Sequence, residues 1–333
     1  MILLPDQPSP THIPEYYQLL DWAFLIKKDY INLERISIKD KNGDDVIFAQ
    51  VYIYNLISKH TQIYIPRGPI IYKSALLQSQ IKEFWQDIES IAAKYKAVFT
   101  LIEPAQDLYN NYNDFLDKYS QNSVIERLPH QTHILDLNLP KEDLLQNMHS
   151  KMRYNIRLAQ RQGLEIKSIS YDSTDFNKYF DIFFNLIQET SKRSVFAIHP
   201  KSHYSNLLRY SSNNLKVSLM IAEYEQEVLA ANIILDTPEQ RIYLHGASSS
   251  QNRKLMAPPL LQWESILEAK NLGKKIYDFW GVSTTKKSWQ GISRFKTQFG
   301  GQTISYPDSK IIVHQNTIFS LYSVFRKIRG KFI

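Results

Sequence analysis

One shift of register organises this chain of 333 residues. Moving Tyr64 onto Tyr243, 179 places along, superposes two blocks without a gap and carries Ile81 onto Leu260, Phe84 onto Trp263, Ile88 onto Leu267 and Val98 onto Tyr277. The first block reads as a strand over 46–57 and an antiparallel partner over 63–70 that ends in a Gly-Pro turn. A helix follows, with Ile81, Phe84, Ile88 and Ala92 on one face, and then a β-rich run over 96–102 stopped by Pro104. The second block repeats this order. It has strands over 228–235 and 241–248, a helix opened by Pro258 and Pro259 with Gly273 at its C-cap, and a strand over 275–282. A chain built this way folds as two similar units, because each block carries its own apolar faces to bury.

Hairpin, helix, strand is the core order of the GNAT acyltransferases. The expected fold class is therefore α/β, in the mixed α+β sense, with two tandem GNAT-like acyltransferase domains. The boundary falls near Leu139 and Pro140, where LPKEDLLQNMHSKMRYNIRLAQRQGLEI opens a new helical region ending at Gly163. A second amphipathic helix over 175–188 puts Phe176, Tyr179, Phe180, Phe183 and Ile187 on a core-facing side. FKTQFGG is read as a strand. After it too few residues remain for a third domain, and Ile318, Leu321, Tyr322 and Phe325 give a helix with one apolar face that returns to the first domain. The expected domains are 1–139, completed by 310–333, and 140–309.

Composition removes several classes of function. Hydrophobic residues make up 43% and aromatics 13%, which excludes a disordered chain. Cysteine is absent, so there is no disulfide framework, thiolate metal site or Cys nucleophile. The nine histidines form no HExxH or HxE arrangement, so no metal is expected. GxSxG, P-loop and GxGxxG patterns are missing as well. No stretch supplies the roughly 18 apolar residues of a membrane span. The MILLPDQPSP start lacks the basic region of a signal peptide, so a cytoplasmic location is expected. The balance is basic, +7 with a pI near 9.2. Arg153, Arg157 and Arg161, with Lys151 just before them, would line one helical face suited either to phosphates or to plain solvation. Arg326, Lys327, Arg329 and Lys331 lie beside Phe325, Ile328 and Phe332, a pattern of either an anionic-lipid contact or a docking helix.

KMRYNIRLAQRQGLEI, IYIPRGPI, ETSKR followed by HYSNLL, IYLHGASSSQNRKLMAPPLLQWESI, YDFWGV and FKTQFGG resemble, in wording and order, the FemABX family of peptidoglycan interpeptide-bridge aminoacyltransferases. The resemblance runs from about Trp22 to the C-terminus. Between KMRYNIR and ETSKR there is no room for a long coiled-coil arm, so the chain resembles a short, FemX-like member. The resemblance implies transfer of Gly, Ala or Ser from aminoacyl-tRNA to the residue-three amine of a stem peptide. The acceptor would be a UDP-MurNAc-peptide or a lipid-linked precursor. No cofactor is implied, and the expected protein is a monomer with an optional peripheral contact at the inner membrane face.

By the same resemblance Lys296 is the catalytic lysine, with Phe295 beside it. Lys27 or Lys28 and Arg193, or Lys192 in the place of Arg193, hold the precursor's diphosphate, with Thr190 near Arg193, and Tyr204 and Tyr243 line the acceptor site. Asp278 is read as either a general base or a strand anchor, the anchor being favoured. Two other readings stand beside this one. A CoA-dependent GNAT N-acyltransferase is disfavoured because 253–259, where a pyrophosphate loop would lie, contains no glycine. A non-catalytic RNA-binding protein would leave Lys296 without a role.

Overall fold

The computed structural model describes residues 15–73, 76–105, 112–194 and 196–329. They form two compact units, one of residues up to His130 together with those from Ser305, the other Gln131–Ile304.

The first unit contains strands β1 (Asn32–Lys39), β2 (Asp45–Ile57), β3 (His60–Pro66), β4 (Ile70–Ile71), β5 (Ala97–Glu103) and β6 (Gln121–Asn122), with helices α1 (Leu20–Leu25), α2 (Gln78–Tyr95) and α3 (Tyr112–Asp117). In the second are β7 (Gln131–Asp136), α4 (Lys141–Gln146), α5 (Ser150–Arg161), β8 (Glu165–Ile169), α6 (Phe176–Ser194), α7 (Lys201–Leu208), β9 (Lys216–Tyr224), β10 (Glu227–Asp236), β11 (Gln240–Ser248), α8 (Ala257–Asn271), β12 (Ile276–Val282), α9 (Gln290–Thr297) and β13 (Gln302–Ser305). The chain then returns to the first unit with β14 (Lys310–Val313) and α10 (Asn316–Arg329).

The first sheet runs β1-β2-β3-β5-β14-β6, with β4 beside β2, and the second runs β13-β7-β12-β11-β10-β9-β8. β5 is buried along its whole length because both of its faces are covered. On one side Phe84, Trp85, Ile88 and Ala92 of α2 join Ile47, Ile63 and Ile102. On the other, Ile318, Phe319 and Tyr322 of α10 pack over Tyr64, Phe99 and Leu101. In the second unit α5 and α8 share a core with Met220, Ile234 and Tyr243. Arg241, itself 2% exposed, ties the start of β11 to the end of β10 through Asp236 at 2.7 Å and to α8 through Glu268 at 2.6 Å.

The repeat is visible in the elements. The 179-place shift carries β5 onto β12 end to end and the first residue of α2 onto the first of α8. It also carries the parallel pair Thr61↔Ala97 onto Gln240↔Ile276. From there the units differ. The β3/β5 ladder continues to Pro66↔Glu103, whereas the β11/β12 ladder stops at Ile242↔Asp278. Beyond that pair β12 bulges against β7 between Asp278 and Gly281, with Trp280 at φ +61°. The two strands part, and the second unit alone has an opening between its parallel strands.

Three expectations need correction. The chain crosses between units at His130–Gln131 rather than Leu139–Pro140, because Gln131–Asp136 is a strand paired with β12. The return begins at Ser305 rather than 310, with the Tyr306 N–H bonded to the His130 carbonyl. FKTQFGG is the end of helix α9 followed by a turn, not a strand. Phe295 and Phe299 lie one helical turn apart, and Gly300 and Gly301 take φ of +82° and +85° where a side chain would strike Asn147 and Ile134. The last residues of the 310–333 segment, beyond Arg329, lie outside the described residues.

Candidate active site

Lys296 stands in the opening between β11 and β12. Its helix, α9, is pinned at the C-terminal end by His133 of β7, whose Nε2–H donates to the Gly300 carbonyl at 2.6 Å while Nδ1 meets the Thr303 hydroxyl at 3.0 Å. That clamp and the aromatic contacts of Phe299, edge-to-face with Phe295 and tilted against Phe279 at ring-centroid distances of 5.4 and 5.3 Å, fix where the lysine points. The side chain is 6% exposed. Its Nζ donates to the Gly281 carbonyl at 2.8 Å, lies 3.4 Å from the Trp280 carbonyl, and sits 5.6 Å from the centre of the Tyr243 ring. The ammonium thus links the free edge of β12 to β11. Burial pushes its pKa down to about 7, against the opposing pull of the Asp278 carboxylate.

Asp278 is turned to the backbone. It accepts from the Thr132 hydroxyl of β7 and from the Trp280 N–H at 2.7 Å, so it holds the bulge that frees the Gly281 carbonyl. Tyr243 is buried, and desolvation raises its pKa.

A second group joins α6 to the loop after β11. Thr190 Oγ1 donates to the Ser248 carbonyl at 3.1 Å and accepts the Ser248 N–H at 3.0 Å. Arg193 donates to the Ser250 and Ser248 hydroxyls at 3.0 Å each and to the Ser248 carbonyl at 3.2 Å. Glu189 accepts the Ser250 N–H at 2.7 Å and lies 3.7 Å from Arg193. The ETSKR motif is therefore a clip on the SSS loop, and it leaves the half-exposed guanidinium at the surface.

Tyr204, on α7, is 1% exposed; its hydroxyl accepts the His199 N–H at 3.2 Å and its ring lies edge-on to His245 of β11 at 5.0 Å. His199 and His203 stack at 4.1 Å, and His245 completes the group. Burial pushes His203 down to about 4 and His245 to about 3, so both are neutral at pH 7. His133 and His245 were not picked out from sequence. The available signal for His245 was its place two residues after Tyr243 in YLHGAS; His133 acquires its role only through residues far along the chain.

Lys27 and Lys28 belong to the first unit and are exposed just past α1. That unit also holds Glu103, buried at the end of β5. Its carboxylate accepts the Tyr64 hydroxyl and the N–H groups of Arg127 at 2.6 Å and Leu128 at 2.9 Å. The basic row on α5 is broken: Arg153 folds back to cap α4, donating to the Gln146 carbonyl at 2.9 Å and to that of Met148. Arg157 and Arg161 are exposed, and neither has an acidic partner among the described residues. No His, Asp or Glu cluster able to hold a metal occurs among the described residues. No described helix is long and apolar enough to cross a membrane.

A buried lysine held by the carbonyls of a positive-φ bulge, on a duplicated GNAT-like frame, sets this chain beside known proteins. The model of the FemAB family matches residues 9–134, 118–223 and 210–327. The chain belongs to the FemAB family. It is an aminoacyltransferase. Aminoacyltransferase FemA of Staphylococcus aureus is 20% identical over 387 aligned residues, spanning 89% of this chain and 90% of that protein. Among solved structures, FemX matches with a TM-score of 0.80 at 16% identity, covering 94% of this chain and 96% of FemX. The C-terminal domain of a putative lysylphosphatidylglycerol synthetase from Agrobacterium fabrum matches at 0.58 and 10% identity, over 91% and 90% of the two chains. These likenesses concern the fold. Between α5 and α6 this chain has the strand β8 and no long helical arm among the described residues.

Proposed function

We propose that this enzyme moves an aminoacyl group of the Gly, Ala or Ser class from the 3′ ester of aminoacyl-tRNA to the residue-three amine of a peptidoglycan precursor stem peptide, UDP-linked or lipid-linked. The observation that carries this reading is the Lys296 ammonium, buried and aimed by two backbone carbonyls in the opening between β11 and β12. Attack of the acceptor amine on the ester carbonyl forms the new C–N bond and puts negative charge on the carbonyl oxygen. A cation in a partly dry site stabilises that charge far better than one in water. Collapse breaks the C–O bond, and the proton lost by the amine ends on the 3′ oxygen of the tRNA. A lysine with a pKa near 7 can donate to the oxyanion or to the leaving oxygen at neutral pH. No cofactor is required by this chemistry, since the ester is already activated.

Lys27 or Lys28 and Arg193 are the cations proposed for the acceptor's diphosphate, Thr190 positions Arg193, and Tyr204 and Tyr243 shape the acceptor pocket. Arg157 and Arg161 are suited to tRNA phosphates. A CoA donor is disfavoured by α8, which opens Ala257-Pro258-Pro259: two of its first three residues lack the N–H that a pyrophosphate needs. The test incubates the protein with a set of radiolabelled aminoacyl-tRNAs and a UDP-MurNAc-pentapeptide. Label transferred to the muropeptide supports the reading. Binding of acetyl-CoA by calorimetry, with no transfer from any aminoacyl-tRNA, would replace it with the acyl-CoA reading.

A further inference from the structure

Helix α10 has two apolar faces where the sequence pattern suggests one. Ile318, Phe319 and Tyr322 are the face turned to the sheet, with Phe319 and Tyr322 each 5.4 Å from the Phe99 ring. Leu321, Val324 and Phe325 are instead 58%, 56% and 61% exposed. They occupy positions i, i+3 and i+4, one continuous stripe along the helix. The helix contains no Asp or Glu, while Arg326, Lys327 and Arg329 fall near its end and Lys331 follows in the sequence. Three large apolar side chains in a row on one surface helix form a patch that calls for a partner.

We propose that this stripe seats the enzyme on an anionic lipid bilayer, with α10 lying in the plane of the interface. Its sheet-facing residues hold the helix to the first unit, so the stripe is presented ready-formed and docking needs no unfolding. An amphipathic helix of this kind sinks its apolar ridge to the headgroup–acyl boundary. The basic residues at its end then meet anionic headgroups well within a Debye length. Charge selects this occupant over a second copy of the chain. A second copy of α10, parallel or antiparallel, offers these cations no acidic residue to pair with, whereas an anionic bilayer offers many.

The experiment is co-sedimentation of the full-length protein with vesicles of phosphatidylcholine alone, or of phosphatidylcholine mixed with phosphatidylglycerol. The measurement is repeated at high salt and with the variant Leu321→Asp/Phe325→Asp. Partitioning onto the anionic vesicles should exceed that onto neutral ones by about tenfold or more, fall with salt, and drop to the neutral level in the variant. Both substituted positions are exposed, so the variant's thermal transition should match wild type, and unequal transitions would be met by repeating the assay with Val324→Asp alone. No vesicle binding, equal binding to both vesicle types, or binding that the substitutions leave unchanged would overturn the proposal. Concentration-dependent dimerisation abolished by the same substitutions, without vesicle binding, would assign the stripe to a second copy and overturn it equally.

Discussion

The Tyr243 hydroxyl occupies the space that a side chain at Gly246 would need: a Cβ there would stand 1.6 Å from the tyrosine oxygen. β11 carries a bulge between its pairs with Ile233 and Ile234, and the shift folds the Tyr243 ring back along its own strand toward residue 246. The aromatic wall beside Lys296 is thus set by the absence of a methyl group three residues away.

Gly246→Ala should therefore displace the Tyr243 ring and act on the reaction more than on the fold. The expected result is a fall in kcat/KM of about tenfold or more, because misplacement by an ångström is costly in a preorganised site. A Gly246→Ala/Tyr243→Phe double variant should recover only part of the loss, since Phe removes the 1.6 Å contact but leaves ring carbons 2.5 and 2.8 Å from the new Cβ. Steady-state kinetics of the three proteins check this; no recovery in the double variant would mean that the clash is relieved elsewhere.

Asp278 lends itself to a clean separation of roles. As an anchor it needs only to accept the Trp280 N–H and the Thr132 hydroxyl, which an asparagine oxygen also does. Asp278→Asn should keep kcat within about fivefold, less than a kcal/mol on the barrier. Asp278→Ala should destabilise the protein by roughly 1–3 kcal/mol through the orphaned buried donors. Loss of activity in the Asn variant with unchanged stability, and with no shift of the pH–rate limb that belongs to Lys296, would instead make the carboxylate a base.

Much of the frame was legible because periodicity is local. Ile81, Phe84 and Ile88 mark α2 wherever the chain goes, and the 179-place repeat gives β12 once β5 is recognised. FKTQFGG misled because five residues are too few to show a helical period, and Gly300 and Gly301 then read as a loop after a strand. In α10 the stripe Ile318, Leu321, Tyr322, Phe325 fits one face on paper. The fold instead selects Ile318, Phe319 and Tyr322, since the face that is buried depends on which way β14 delivers the helix. At the site, spacing alone left Lys296 indistinguishable from a surface lysine, and the family resemblance singled it out. His133 and His245 remained hidden because each acquires meaning from a contact across the sheet or from another element.

The imidazole group makes the protein acid-sensitive in a defined window. His245 and His203 are pushed down to about 3 and about 4 by burial, against an ordinary value of 6.5. As pH falls below 6.5 the unfolded chain takes up these protons first and the folded chain refuses them. Stability is thus complete above that pH and lost progressively toward pH 4 and 3. Between pH 7 and 4.5, His245 alone should account for roughly 2–3 kcal/mol of that loss. His245→Phe keeps the ring and removes the proton, so its urea midpoint should fall distinctly less than that of wild type over the same interval. Parallel curves for the two proteins would remove His245 as the source.

Lys296 should show the signature of a residue that trades stability for catalysis. Its pKa, lowered from 10.5 to about 7, means that between those values the unfolded chain holds a proton the folded chain has released. Folding stability therefore rises with pH across that window, and below about pH 7 the full penalty of a buried charge is present, on the order of 3–5 kcal/mol. Lys296→Met removes the penalty but orphans the Gly281 carbonyl, a cost of roughly 1–3 kcal/mol. The variant should be the more stable protein at pH 6, with the difference shrinking as pH approaches 10. Its single-turnover rate of transfer from aminoacyl-tRNA at saturating substrates should nonetheless fall by roughly 10²–10³, the range for loss of an oxyanion donor. Lys296→Arg should rescue little, because a planar guanidinium does not fit a space shaped for a compact ammonium between the Gly281 carbonyl and the Tyr243 ring. In wild type the rate should decline as pH rises through about 7, where the ammonium deprotonates, and this limb should be absent from the Lys296→Met profile. Binding of UDP-muropeptide alone should stay unchanged, since the ammonium acts on charge that exists only in the transition state. A variant that is more stable but transfers within about twofold of the wild-type rate would show that Lys296 serves only the fold.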